Sequence, residues 1–424
     1  MRNARVWARL LGVEKTVIER VALDDEQDIL VVSVRPGRGR RRRCGICSRR
    51  CPGYDQGQGR RRWRGLDHGA VRTFLEADAP RVRCPRHGVV VAAVPWARHG
   101  AGHTHSFDQQ TAWLATSCAK SAVTELMRVA WRTVGAIITR VWADTTAQVD
   151  LLDGLTRIGI DEISHRKGHR YLLVVVCHDT GRLVWVGPRA DKACLAAFFT
   201  QLGDQRTAQI THVSSDAAPW INDSITTHCP QAIRCADPFH VVAWATQALD
   251  EQRRTAWHAA RAHTDQPRRT GRNPQTTAGK LKGARWTLWK NPENLTTRQK
   301  EQLAWIAKTN PALHRAWALK EGLRTVFAIA RRDPGEAIEA LNRWISWARR
   351  SRLPAFTTLA KRITRYYTPI KAAIEHQLSN APVEAMNTRI RLIIRRGYGF
   401  HSAPAIIALA MLTLGGHRPE LPNR

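Results

Sequence analysis

"RIGIDEISHRKGHRYLLVVV", residues 157–176, sets two carboxylates, Asp161 and Glu162, after a short apolar run and ahead of Arg166, Lys167 and Arg170. Segments 157–163 and 171–178 are short and rich in β-branched residues, so both read as strands. A third, "RLVWVGP" (182–188), follows the turn residues Asp179, Thr180 and Gly181, and the three form an antiparallel meander. Side chains alternate along a strand, so Asp161 and Glu162 point to opposite faces. Glu162 is expected to pair with a nearby Arg or Lys. Asp161 is half of a metal site if the rest of the chain supplies the other half.

Working outward, a helix at about 191–202 leads to a fourth strand, "QITHVSSD", which ends on Asp216. A helix from about Pro219 to Cys229 follows, then a fifth strand, "AIRCAD", ending on Asp237, and a helix beginning "PFHVV". The order β-β-β-α-β-α-β-α is that of an RNase H-like fold, in which the first and fourth strands lie side by side and parallel. Asp161 and Asp216 then face one another. Residues 258–378, rich in Arg, Lys and Trp, read as a helical insertion whose tryptophans belong to its core. After it, in "SNAPVEAMNTRIRLIIRRGYGF", Val383, Met386, Ile390 and Ile393 recur at helical spacing as a buried stripe. Glu384, Asn387, Arg391 and Arg395 form the stripe beside it. Two readings of Glu384 stand on spacing alone: a third metal ligand heading a basic edge, or an acidic partner for the helix dipole.

The N-terminal part carries a different signature. Cys44-Gly-Ile-Cys47 and Cys84-Pro-Arg-His87 place two ligand pairs on two tight turns, the arrangement of a tetrahedral zinc site, with Cys51 as a spare thiol. Arg40, Arg41, Arg42, Arg43, Arg61 and Arg62 surround it with positive charge. Residues 107–142 then become helical, with apolar positions at Val123, Leu126, Met127, Val134, Ile137, Ile138 and Val141. They suit a helix-turn-helix whose second helix, from about Trp131, exposes Arg132 and Arg140; a plain helical linker is the competing reading.

The whole chain agrees with a polyanionic partner. Its 424 residues hold 67 Lys and Arg against 35 Asp and Glu, a formal charge of +32. Such a field favours nucleic acid through counterion release. With 43% apolar residues the chain is globular rather than a basic tail, and no uncharged apolar run is long enough to span a membrane. The N-terminus does not read as a signal peptide, and nine scattered cysteines suit a reducing compartment.

The expected architecture is therefore a multi-domain α/β protein. A zinc-binding DNA-contacting β-domain (1–100) and a helix-turn-helix (101–150) precede an RNase H-like mixed-sheet core. That core (151–257) is interrupted by the α-helical insertion (258–378) and completed by a C-terminal helical part (379–424). "GIDEISHRKGHRY", "SSDAAPWI", "ADPFHVV" and "SNAPVEAMNTRIRLIIRRGYGF", with the CxxC/CxxH pairs, resemble the DDE transposases of the ISL-three insertion-sequence group. The resemblance covers most of the chain and implies that Asp161, Asp216 and Glu384 are the catalytic triad. Where the family commonly has Gly after the final Glu, this chain has Ala385. Asp237 is the alternative second carboxylate or a supporting residue, with His240 beside it. His165, Lys167 and His169 lie near the same motifs.

Three carboxylates suit two Mg(II) or Mn(II) ions about 3.5–4 Å apart, beside one structural Zn(II). The implied activity is binding of terminal inverted repeats, cleavage to free 3′-hydroxyls and joining to target DNA. The expected partners are double-stranded DNA and a second protomer, in the nucleoid-containing cytoplasm of a bacterium. Lys167, Arg391, Arg395 and Arg396 join the arginines above as DNA contacts. A nuclease of the same fold, or a catalytically inactive DNA-binding regulator, are the rival functions.

Overall fold

A computed structural model of the chain describes residues 2–422 apart from 167, 169, 217, 263–275 and 401. Two units divide it, 1–151 with 390–424, and 152–389. Lys167 and His169 lie outside the described residues.

The first unit begins with α1 (Arg2–Leu10), β1 (Thr16–Asp24), β2 (Ile29–Pro36), β3 (Gly53–Asp55), β4 (Arg60–Arg64), β5 (Arg72–Asp78), β6 (Arg81–Cys84) and β7 (Gly88–Val91). One sheet has the order β1-β2-β5-β4 and a smaller one β3-β6-β7. Alternate residues of β5 (Thr73, Leu75, Ala77) are buried, and the last two join Val32, Val34, Trp63 and Trp96 in a core. Three helices follow: α2 (His105–Ser117), α3 (Lys120–Met127) and α4 (Trp131–Gln148). Thr104 caps α2 by accepting the Phe107 N–H at 3.2 Å. Arg128, at φ 51°, ends α3 in the left-handed region, so only three residues separate α3 from α4. Val123, Met127, Val134, Ile137, Ile138 and Val141 are buried together, as their spacing predicts, whereas Leu126 is exposed.

The second unit opens with β8 (Arg157–Arg166), β9 (Arg170–Cys177) and β10 (Leu183–Gly187). It continues through α5 (Lys192–Leu202), α6 (Asp204–Thr207), β11 (His212–Ser215), α7 (Pro219–His228), β12 (Ile233–Ala236) and α8 (Pro238–Ala262). Their sheet has the order β10-β9-β8-β11-β12. β9 is antiparallel to β8 and β10, while β11 runs parallel to both β8 and β12. Leu172 to Val176 of β9 are fully buried, as an aliphatic run covered on both faces should be.

Among the described residues seven α-helices come next: α9 (Thr277–Gly283), α10 (Arg285–Trp289), α11 (Thr297–Thr309), α12 (Pro311–Ala330), α13 (Pro334–Arg350), α14 (Pro354–Arg365) and α15 (Tyr367–Glu375). Proline at the first position of α12, α13 and α14 gives up an N–H that has no intrahelical partner there. Together with α8 these helices enclose Leu313, Leu319, Leu323, Leu341, Trp344 and Phe356. Not every tryptophan is core, contrary to expectation. Trp344 is buried and donates its indole N–H to Leu319 O at 2.8 Å, but Trp286 is 61% exposed and Trp347 39%.

The chain closes with α16 (Ala381–Arg396) and α17 (Ala403–Leu414). Val383, Met386, Ile390 and Ile393 form the predicted buried stripe. The boundary between units falls inside α16 at Ile390, so residues 379–389 belong with the sheet. From 390 onward, Ile393, Leu409 and Leu412 share a core with α2 and α4. Among the described residues no helix is long and apolar enough to cross a membrane.

Candidate functional site

Cys44, Cys47, Cys84 and His87 present four ligand atoms within 4.8 Å of one another. Cys44 Sγ and Cys84 Sγ each lie 3.6 Å from His87 Nδ1, and Cys47 Sγ lies 3.8 Å from Cys84 Sγ. A tetrahedral shell with Zn–S ~2.3 Å and Zn–N ~2.0–2.1 Å has edges of about 3.5–3.8 Å, so the donor set fits zinc. Burial pushes the Cys84 thiol up, but the backbone N–H groups of Arg86 and His87 and the His87 ring outweigh it and bring it to about 6. That favours the thiolate a metal needs. Cys51 is buried nearby but outside the group of four; its thiol donates to Arg49 O at 3.3 Å.

The second site gathers at one end of the five-stranded sheet. Pairing of β11 with β8 runs from His212 with Arg157 to Ser215 with Ile160, so Asp216 and Asp161 follow at the next step. α16 reaches that strand end because residue 159 is glycine. A Cβ there would lie 2.3 Å from Val383 Cγ2 and 2.9 Å from His178 Nε2. The chain entering α16 is anchored by a buried hydrogen-bond network. Asn380 donates Nδ2 to Ile160 O (3.3 Å) and its backbone N–H to Asp237 Oδ1 (3.2 Å), and accepts from Ser214 Oγ (2.6 Å).

Asp161 is half-buried, and its carboxyl is raised to about 6. Burial is the first cause, and the Asp216 and Glu384 charges add to it against the Glu162 N–H and His240. Like charges held this close are what a divalent cation would relieve. Asp237 is only 2% exposed and has both oxygens engaged, Oδ1 by Asn380 and Oδ2 by His240 Nδ1 at 2.8 Å. The Asp237 hydrogen bond raises the His240 imidazole, with burial opposing and the Asp216 and Asp161 charges assisting. One ligand atom each from Asp237, His240 and Glu384 lie within 4.8 Å of one another, the tightest potential metal grouping at this end of the sheet among the described residues. Glu162 departs from expectation. It makes no ion pair among the described residues; burial and the Asp216 charge raise it.

Comparison with known proteins places these parts together. Residues 40–87 match the zinc-finger of the transposases of IS204, IS1001, IS1096 and IS1165. Residues 92–142 match the helix-turn-helix domain of transposase family ISL3, and residues 158–409 match the ISL3 DDE transposase family. The transposase for insertion sequence element IS1557, from two strains of Mycobacterium tuberculosis, is 57% identical over 100% of this chain and 98% of its own length. The chain belongs to the ISL3 family of transposases. The transposase for IS1001 of Bordetella parapertussis is 28% identical over 84% of the chain and 85% of its own length.

This transposase is thus a DNA-binding, metal-dependent enzyme of the DDE class. Its arginines fall into two groups. Arg40, Arg41, Arg42, Arg132, Arg391 and Arg395 are exposed. Arg43 donates to Gly39 O and Ser48 O, Arg61 to Ala101 O, Arg62 to Glu76, and Arg396 to the carbonyls of Thr116 and Ser117. Arg140 is not the free DNA contact its helix position suggested. Its guanidinium donates to both oxygens of fully buried Asp108, at 3.2 and 3.1 Å, beside Arg98 at 2.9 Å. Sequence reasoning missed Ser214, Asn380 and His178, and placed Asn387 on the basic stripe without a role.

Proposed function

We propose that this transposase binds the terminal inverted repeats of its element and cleaves and joins DNA at the Asp161–Asp216–Glu384 cluster. We read the sheet order β10-β9-β8-β11-β12, three antiparallel strands followed by two parallel ones, as an RNase H-like core. Asp161 and Asp216 sit at adjacent strand ends, with Glu384 acting on Asp161 from α16. That juxtaposition carries the reading. In the first step the oxygen of water attacks phosphorus and the P–O3′ bond breaks, the released 3′ oxygen taking a proton. In the second, that 3′-hydroxyl attacks a target phosphodiester, whose own P–O3′ bond breaks.

Hard carboxylate oxygens suit Mg(II) or Mn(II), and two such ions would activate the attacking oxygen and neutralise the leaving one. The protein's own part is to hold the carboxylates. Asn380 ties α16 to β8 and β11, and Asp237 orients the His240 ring. Exposed Arg40, Arg41, Arg42, Arg132, Arg391 and Arg395 contact phosphates, and Lys167, outside the described residues, is proposed to add to them. Two ends must be paired, so a homodimer on DNA is the working assembly, in the bacterial nucleoid.

A second donor set, Asp237, His240 and Glu384, is favoured by the closeness of its ligand atoms. Against it, Asp237 is only 2% exposed, whereas Asp161 is half-buried and more open to a metal and its substrate. Strand transfer of a labelled end oligonucleotide with Mg(II) decides. Loss of activity in each of Asp161→Asn, Asp216→Asn and Glu384→Gln supports the first set. Full activity in Asp216→Asn with none in Asp237→Asn establishes the second.

A further inference from the structure

Asn387 lies one turn beyond Glu384 on α16 and is only 2% exposed. Its Nδ2 donates to Asp161 Oδ2 at 2.8 Å, while Asp161 Oδ1 accepts the Glu162 N–H at 2.8 Å. A carboxylate accepts and never donates when ionised, so this contact fixes which way round the amide sits. The other end of the same planar group, Oδ1, is buried and has no hydrogen-bond partner among the described residues. A buried acceptor left empty works against folding, and native proteins seldom tolerate one without a use for it. The other buried amide near this strand end, Asn380, has its carbonyl filled by Ser214. An orphaned amide oxygen beside Asp161 is a neutral, hard donor of the kind that complements carboxylates around Mg(II) or Mn(II).

We propose that Asn387 is a fourth member of the metal site: its amide N–H orients Asp161 and its carbonyl oxygen faces the divalent cation. This rests on Asp161 being a metal ligand. It goes beyond the three-carboxylate set by assigning a neutral residue to it. The arrangement also explains why a buried polar residue sits on an otherwise carboxylate-and-arginine stripe.

The test measures Mn(II) binding to the full-length, zinc-loaded protein by loss of the free-ion electron paramagnetic resonance signal, together with Mn(II)-induced shifts in Tm. Asn387→Leu keeps the branched shape and removes both the donor and the acceptor. It is expected to weaken Mn(II) binding about 10- to 100-fold, the range for losing a residue that orients a ligand. Asp161→Asn is run in parallel. If it binds Mn(II) as the native protein does, the Asp161 reading itself is wrong and the inference goes with it. If Asp161→Asn loses binding while folded Asn387→Leu keeps native affinity, Asn387 is only a core residue. Should the leucine variant not fold, Asn387→Asp decides. It sets a second carboxylate against Asp161, so Mn(II) should raise its Tm more than the native one; an equal shift overturns the proposal.

Discussion

Ser214 Oγ and Asn380 Oδ1 share a 2.6 Å hydrogen bond across 166 residues of chain, deep in the second unit. The serine is on β11, two residues before Asp216, and the asparagine stands at the entrance to α16, four before Glu384. This bond fixes one strand-end carboxylate relative to the helix that carries the third.

Replacing Asn380 by Leu should therefore do more than remove one contact. It leaves the buried Ser214 hydroxyl with His178 as its remaining partner and takes the side-chain donor from the buried Ile160 carbonyl, while the backbone N–H of residue 380 can still reach Asp237. A buried polar group left unsatisfied costs about 1–3 kcal/mol, and a loss in that range is expected in urea denaturation. Ser214→Ala, which removes the partner but leaves room for water, should cost less.

The same network has a pH signature through His178, whose Nε2 lies 2.7 Å from Ser214 Oγ. Burial, and then the Arg157 charge, hold this imidazole below its ordinary value of 6.5, with Asp179 opposing. A depressed histidine stays neutral in the folded chain while the unfolded chain takes up a proton. Its contribution is thus present above pH 6.5 and is lost as pH falls below that value. Urea midpoints at pH 5.5, 6.5 and 7.5 should show stability falling on the acid side. In His178→Gln, which keeps a donor but does not titrate, the slope should be shallower by at most ~1.4 kcal/mol per pH unit. An unchanged slope would show that folding does not depress the His178 imidazole.

Much of this molecule could be read locally, and the rest failed for one physical reason. Strand-end carboxylates, the two turns of the zinc site and the stripe Val383–Met386–Ile390–Ile393 depend on spacing within a few residues. Asn387 meeting Asp161, Glu162 falling near Asp216 rather than against a base, and Asp108 capturing Arg140 are long-range pairings. Periodicity says which face a residue occupies but not which residue arrives opposite it. The "SNAPVEAMN" motif held a clue, since an asparagine at the start of a helix and another within it, both buried, need partners.

At the zinc site, Cys84→Ser should lower bound zinc from one per chain towards none, as measured by atomic emission on the purified protein. Cys84 is a corner of the group and close to both Cys47 and His87. Cys51→Ser should retain zinc, because Cys51 lies outside that group and its thiol is turned to Arg49 O. If Cys51→Ser loses the metal instead, Cys51 replaces one of the four assigned ligands.

Arg132 and Arg140 lie on the same helix, α4, and are expected to behave oppositely. Arg132 is exposed, so Arg132→Ala should leave Tm unchanged while weakening DNA binding. A lost phosphate contact also reduces the slope of log affinity against log salt by about one. Arg140 neutralises Asp108, which is fully buried and shared with Arg98. Arg140→Ala removes two of the three guanidinium hydrogen bonds to that carboxylate and leaves the Arg98 one, and a destabilisation of about 3 kcal/mol is expected, with DNA affinity recovered at temperatures where the fold persists. Melting curves and salt titrations on both variants separate the roles. A lowered salt slope with an unchanged Tm in Arg140→Ala would place this residue on DNA after all.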